Sequence, residues 1–147
     1  MTTTTAARQY QCVLNIDDVS ATLADVSGST TTVAFAAERD QAFVWVLDGK
    51  ISVSDSNSAE TVEVEVVWST TSTDARALIE EWHLNTASTA RTVQIDIPDS
   101  STGSRRYTGE YTLGPYSWAV DASGRSDLIR ANFTLSANAS ITMTDIA

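Results

Sequence analysis

The chain has 147 residues and a formal net charge of −10, with Lys50 as the one lysine among nine cationic side chains. That length suits one domain with a real core, and the charge excludes binding to nucleic acid through phosphate contacts, which needs clustered Lys and Arg. Cys12 stands alone, so no intrachain disulfide staples the fold, and the longest apolar run, Ala42 to Leu47, is far too short to span a bilayer. The opening stretch MTTTTAARQ lacks the apolar segment of a signal peptide, so the expectation is a soluble protein made in the cytoplasm, with no membrane anchor.

Residues 1–8 are polar and Thr-rich and read as a flexible N-terminal arm, leaving 9–147 as a single domain. Tyr10, Cys12, Leu14 and Ile16 alternate with polar or smaller neighbours, which predicts a strand ending at Asp17-Asp18, with Cys12 as a small buried hydrophobe. Weaker apolar marks follow at Val19, Leu23 and Val26, and Ser27-Gly28-Ser29 is a turn. Thr30 to Ala37 reads as a β segment, Glu38-Arg39-Asp40 as a charged break, and Ala42 to Leu47 as a short strand. Asp48-Gly49 is a tight turn of residues that tolerate left-handed backbone. Ile51 and Val53 continue in β, and Asp55 to Ala59 reads as a polar loop.

The stretch from Thr61 to Asn85 organises the rest. Val62, Val64, Val66 and Trp68 alternate with Thr61, Glu63, Glu65 and Val67, a period of two that gives a strand one apolar and one mostly acidic face. After a Thr/Ser-rich turn, Ala75, Leu78, Ile79 and Trp82 recur at helical spacing. Thr73 or Asp74 can cap this helix, placed at about 74–84, and no other helix is predicted. Val93, Ile95 and Ile97 then mark a strand stopped by Pro98. Arg106 to Leu113 is a strand with Tyr107, Gly109, Tyr111 and Leu113 on one face, broken by Gly114-Pro115. Tyr116, Trp118 and Val120 alternate next, Leu128 to Leu135 follows, and Ile141 to Ile146 is a last short strand. Strands spaced by about ten residues predict a mainly β protein, an antiparallel sandwich or barrel with one flanking helix.

Chemistry-bearing constellations are sparse. His83 is the single histidine and falls on the polar side of the helix, without partners for a metal site or triad. Glu80-Glu81 and Asp17-Asp18 are neighbours in sequence, and neighbours on a helix face different directions, so they read as solvated carboxylates. No catalytic residue, cofactor or metal is expected. Of the tryptophans, Trp68 and Trp82 are assigned to the core. Trp45 lies in Phe43-Val44-Trp45-Val46, apolar on both faces, which favours a strand covered by another subunit over a sugar-binding platform.

Taken in order, the strand ending in LNIDDVSATLADVSG, the segment TVEVEVVW, one amphipathic helix, TVQIDIP, RRYTGEYTLGPYSWAV and a final pair of strands form a layout. This layout resembles the tail tube protein (major tail protein) family of long-tailed phages and related viruses, with YTGEYTLGPYSWAV its most telling piece. The resemblance implies a virion protein whose six copies close into a ring, with rings stacking into a hollow conduit that delivers DNA. The partners it implies are further copies of the chain, a tape-measure protein and other tail proteins. DNA would pass through without specific binding. An acidic lumen would repel phosphates, which makes Glu63, Glu65, Asp96 and Glu110 the candidate lumen-facing carboxylates. The candidate subunit-interface residues are Thr3, Thr5 and Arg8 of the arm, with Phe43 and Trp45. The regions around Ser27 to Gln41 and Asp55 to Ala59 are expected to order on a neighbour. The competing readings are another small virion β-domain, such as a capsid decoration or tail-completion protein, and a carbohydrate-binding module.

Overall fold

The computed structural model describes residues 11–86, 89–121, 123 and 127–147, and the side chains of all of these except 40–44, 50–58 and 86. Eight strands and one α-helix follow in the order β1 (Val13–Asp17), β2 (Leu23–Asp25), β3 (Thr30–Val46), β4 (Gly49–Val67), α1 (Ala75–Thr86), β5 (Arg91–Ile97), β6 (Arg105–Trp118), β7 (Arg130–Ala137) and β8 (Thr142–Asp145), with a 3-10 turn at Ser27–Ser29 between β2 and β3. All pairings are antiparallel, in the order β2-β1-β5-β6-β7-β4-β3, with β8 also beside β6. The mainly β architecture with one flanking helix is therefore as the alternation predicts.

β6 divides the sheet into two halves. Its first part pairs with β5 and β8, from Arg105↔Ile97 and Arg105↔Asp145 onward, and its second part pairs with β7 from Tyr111↔Ala137 to Trp118↔Ala131. In a flat sheet β3 would lie three strands, roughly 14 Å, from β6. Instead the Phe35 ring of β3 sits 5.2 Å from the Tyr107 ring of β6. The sheet thus curls back on itself, and one core fills the space between the halves. Leu14, Ile16, Val93 and Ile95 come from one half, and Val62, Val64, Val66, Ala131, Phe133 and Leu135 from the other.

The strands continue through the three positions where polar or breaking residues predicted interruptions. Glu38-Arg39-Asp40 lies inside β3, and Asp55 to Ala59 lies inside β4. A ladder is held by backbone N–H and C=O groups, so polar side chains do not stop it where no core requires alternation. The register does shift between Arg39↔Ser58 and Gln41↔Ser54, an irregularity within an otherwise continuous ladder. Likewise Gly114-Pro115 does not end β6. Leu113↔Leu135 is followed by Tyr116↔Phe133, so β6 carries one extra residue here as a bulge. A Cβ on Gly114 would meet the Thr134 carbonyl oxygen at 2.8 Å, so the bulge requires glycine there. The turn expected at Asp48-Gly49 lies one residue earlier, at Leu47-Asp48, with Gly49 opening β4. Val46 pairs with Gly49 around a two-residue connection, and Gly49 has φ +134°.

α1 closes the end of the core. Ala75, Ile79 and Trp82 are fully buried. The Leu78 N–H donates to the Asp74 carbonyl at 3.2 Å, and Ser29 Oγ accepts from the Ala75 N–H at 3.1 Å, so an orphan donor of the first turn is satisfied by a residue far away in sequence. Trp82 Nε1 donates to the Thr89 carbonyl at 2.9 Å. The neighbouring carboxylates are clamps rather than freely solvated groups. Glu80 accepts from Arg76 at 2.6 Å and from the Tyr116 hydroxyl at 2.9 Å, and Glu81 pairs with Arg91 at 2.8 Å. Burial, reinforced by Glu80, pushes the Tyr116 phenol up to about 12. Trp82 belongs to the core, and Trp68 is partly buried against it, beneath the Arg76 guanidinium at 5.1 Å. Cys12 precedes β1 instead of lying within it. It is half-buried, and burial, then the nearby Asp96, raises its thiol pKa.

Asp96 corrects the reading of β5. The alternation predicts Val93, Ile95 and Ile97 inside and Asp96 outside, but Asp96 is fully buried and Ile97 is 39% exposed. Arg106, directly across the ladder, covers Asp96 with bonds of 2.8 and 3.0 Å, and Ser100 Oγ donates to it at 3.0 Å. The 98–104 connection reaches back to Asp96 through Ser100 and is tied internally by the bonds of Ser101 and Ser104 to Asp99.

Two measurements test these points. Gly114→Ala is expected to lower stability by about 1–3 kcal/mol through the clash with Thr134, while Gly28→Ala, with open space around it, changes stability by much less; urea unfolding of the two variants compares them. Arg106→Ala strands the buried Asp96 charge and is expected to cost roughly 2–3 kcal/mol, below the ~3–5 kcal/mol of a sealed pair because the Arg106 side chain remains 32% exposed. The Asp96→Asn, Arg106→Met double variant should recover part of that loss in the same assay.

Candidate functional site

Among the described residues no group of His, Cys, Asp and Glu is arranged to hold a metal ion. The surfaces with distinctive features belong to the half formed by the second part of β6 with β7, β4 and β3. Both outer strands of this half are open among the described residues. β3 pairs only with β4, and Thr112 to Trp118 of β6 pair only with β7. Such edges present unpaired N–H and C=O groups to another chain.

The solvent face of this half follows from the β4 alternation. Glu63 lies between Ala34 and Thr134, and Glu65 between Thr32 and Asn132. These six residues line a shallow depression. Glu65 accepts from Arg130 at 2.9 Å and from Thr31 Oγ1 at 2.9 Å, and these bonds, Arg130 first, hold its carboxyl below the usual range. Glu63 makes no ion pair among the described residues. The face is thus built of short polar side chains with one paired and one unpaired carboxylate.

The four predicted lumen carboxylates are not brought together. Glu63 and Glu65 lie on the outer face of one half. Glu110 lies on the outer face of the other, where it accepts a hydrogen bond from Thr92 Oγ1. Because the inner faces share one core, the two outer faces point away from each other. Asp96 presents no charge to solvent at all.

The β3–β4 hairpin runs on well past the body. β7 pairs with β4 only from Thr61 to Val67, so from Glu38 to Ala59 the two arms have no third strand beside them among the described residues. At ~3.3 Å per residue this extension reaches roughly 30 Å. Its end carries Trp45, 77% exposed, and the fully exposed Leu47. Of the predicted interface residues, Trp45 therefore stands at an exposed apolar tip. Phe43 pairs with Ser52 in the backbone, its side chain lying outside the described residues, as do Thr3, Thr5 and Arg8. Sequence reasoning missed the open edge of β6 and the exposure of Trp118 and Val120 on its end, which alternation had placed in apolar phase. Pro115 was the available signal, because proline within a strand marks an edge or a bulge.

Acid sensitivity follows from these pairs. Glu65, Asp99 and Asp121 all have pKa values lowered in the folded protein, Glu65 by Arg130 and Thr31, Asp99 by Ser101 and Ser104, and Asp121 by Ser123. Their stabilisation is present above the unfolded carboxylate values, about 4, and is lost as pH falls through the lowered folded values. Thermal melts from pH 7 to pH 2 should fall on the acid side, and Arg130→Ala should flatten part of that fall.

No protein-family model and no curated protein matches the sequence. Solved structures do match, over nearly the whole chain. A chain of the tail of an empty gene transfer agent particle, refined with C6 symmetry, superposes with a TM-score of 0.73 at 12% identity, covering 95% of this chain and 99% of that one. A chain of the sheath/tube terminator of the PVC extracellular contractile injection system gives a TM-score of 0.73 at 13% identity, covering 97% and 99%. The SPP1 tail tube gives a TM-score of 0.76 at 10% identity, covering 95% and 80%. From end to end, the chain has the fold found in these tail and tube structures.

Proposed function

We propose that this chain is the subunit of a viral tail tube, a non-enzymatic structural protein of the virion whose copies close into hexameric rings and stack into a hollow conduit. The observation that carries this reading is the match along 95% of the chain to a tail structure with six-fold symmetry. The geometry supplies the physical reason. A four-stranded half-sheet with two different open edges satisfies its backbone groups by pairing the β3 edge of one copy with the β6 edge of the next. Such a heterologous contact generates rings when the rotation closes. The projecting hairpin, with its apolar tip, reaches beyond the plane of such a ring.

In this reading the face bearing Glu63 and Glu65 turns to the lumen. Short threonine, alanine and asparagine side chains keep the bore open, and a wall without clustered cations gives DNA phosphates nothing to release counterions to. The tape-measure protein and other tail proteins are the further partners. Glu110 lies on the opposite outer face and has no lumen role here.

Electron microscopy of the concentrated protein across a range of salt should show hollow tubes or stacked rings. Monomers at every salt and concentration, together with binding to preformed particles, would point to a decoration or completion protein. In reconstituted particles, Glu63→Lys with Glu65→Lys is expected to slow DNA release several-fold at low salt, with the effect shrinking as salt rises. Glu110→Lys should leave release unchanged. Equal kinetics for both sets would remove this face from the lumen.

A further inference from the structure

α1 is tied to both strands that carry the open edges of the half-sheet β6-β7-β4-β3. At its start, the Ala75 N–H donates to Ser29 Oγ at 3.1 Å, and Ser29 immediately precedes β3. Ser29 is buried, and its hydroxyl donates in turn to the Val26 carbonyl at 3.4 Å, so it is held from both sides. Further along the helix, Glu80 accepts from the Tyr116 hydroxyl of β6 at 2.9 Å. Glu80 is itself fixed by Arg76 at 2.6 Å, and the Arg76 Nε–H donates to the Ser69 carbonyl just beyond β4 while its guanidinium lies over Trp68. Burial, then the bond to Glu80, pushes the Tyr116 phenol up to about 12, so it stays a donor through the neutral range.

Both ties lie at the same end of the half-sheet. The ladder sets Thr30 beside Val66, and Tyr116 beside Phe133, which pairs with Val64. Three strand spacings, roughly 14 Å, separate the β3 edge from the β6 edge. Ala75 and Glu80 are ~7.5 Å apart along the helix axis, and the Glu80 and Tyr116 side chains bridge the rest. Among the described residues neither edge has a second partner strand here, so ladder bonds fix each from one side only. Twist between neighbouring strands ranges over about 10–35° in sheets, and edges tied only through their ladders keep that latitude.

We propose that α1 is the strut that sets the angle between the two open edges, and that Tyr116 and Ser29 are the positioning residues through which it acts. This deepens the tube reading and rests on it. When the β6 edge of one copy pairs with the β3 edge of the next, the angle between the edges within a copy becomes the rotation from copy to copy. A ring closes with one number of copies only when that rotation is held: about 60° for six, against about 72° for five and about 51° for seven. A slack of roughly ten degrees therefore changes the ring number, and ladder twist by itself allows that much. The strut removes the slack before copies meet, so less ordering is left to the moment of association.

The test uses the full chain. Tyr116→Phe keeps the aromatic ring and loses the bond to Glu80, and Ser29→Ala loses the acceptor for the Ala75 N–H. Val93→Ala destabilises the protein from the other half of the core and belongs to neither tie, so it reports what lost stability alone does. The readout is electron microscopy of assembled rings sorted by subunit number, with melting temperatures measured alongside. The unaltered protein and Val93→Ala are expected to show one subunit number, and each tie variant two or more. Tyr116→Phe is also expected to need a roughly tenfold higher concentration to close rings, the factor that one lost hydrogen bond to a charged group represents. If Tyr116→Phe and Ser29→Ala both close rings of the unaltered number at the unaltered concentration, α1 does not set the angle, and the inference falls while the tube reading stands. It falls in the same way if Val93→Ala spreads the ring number as widely as the tie variants do. If the unaltered protein forms neither rings nor tubes under any condition, the tube reading falls and the inference with it.

Discussion

The fold depends on β6 serving two half-sheets at once. Its first part pairs with β5 and β8, its second with β7, and the change of partners happens within a single strand. A regular ladder would keep the two parts in one plane. Beyond the change of partners, the extra residue at Gly114-Pro115 forms a bulge against β7, and the missing Cβ of Gly114 lets it pass the Thr134 carbonyl. Tyr111, at the junction, is buried and touches both halves through its pairing with Arg91 and Ala137. With the sheet curled on itself, the valines of β4 share one core with Leu14, Ile16, Val93 and Ile95, and α1 closes the end of that core with Trp82.

The change of partners leaves open edges, because β5 begins at Arg91, opposite Tyr111. A strand that leaves β5 at Tyr111 has no partner on that side for the rest of its length among the described residues. At the other side of this half, β3 follows β4 out into the long hairpin and likewise has one partner. Folding of the isolated chain therefore satisfies the core and leaves backbone groups unpaired at two different edges. Proteins blunt such edges or pair them. Here the edges differ in sequence and shape, which favours directional association over a symmetric dimer.

Charge is distributed in a way that net charge does not convey. Glu65, Glu80, Glu81, Asp96 and Asp145 are all paired with arginines, so much of the limited cationic content is spent inside the subunit. What remains on the β3–β4–β7 face is Glu63 among small polar side chains. This face also carries Arg130, half-exposed and paired with Glu65, so one of its two carboxylates is compensated and the other is not.

The sequence by itself determined the local periodicities. The alternation of Val62, Val64 and Val66 and the helical stripe of Ala75, Ile79 and Trp82 appear in the structure, and the turn expected at Asp48-Gly49 falls one residue earlier. These are legible because each depends on side-chain spacing or on backbone preference within a few residues. Where strands end was less legible. Glu38-Arg39-Asp40, Asp55 to Ala59 and Gly114-Pro115 look like interruptions, yet the ladders run through them, because strand pairing is a backbone matter settled by the partner strand. Burial at strand ends was decided only by tertiary structure. Asp96 is sealed by Arg106 and the connection after it, while Trp118 and Val120, in apolar phase, emerge beyond the core. Periodicity states which face a residue takes, but what covers that face comes from elements distant in sequence.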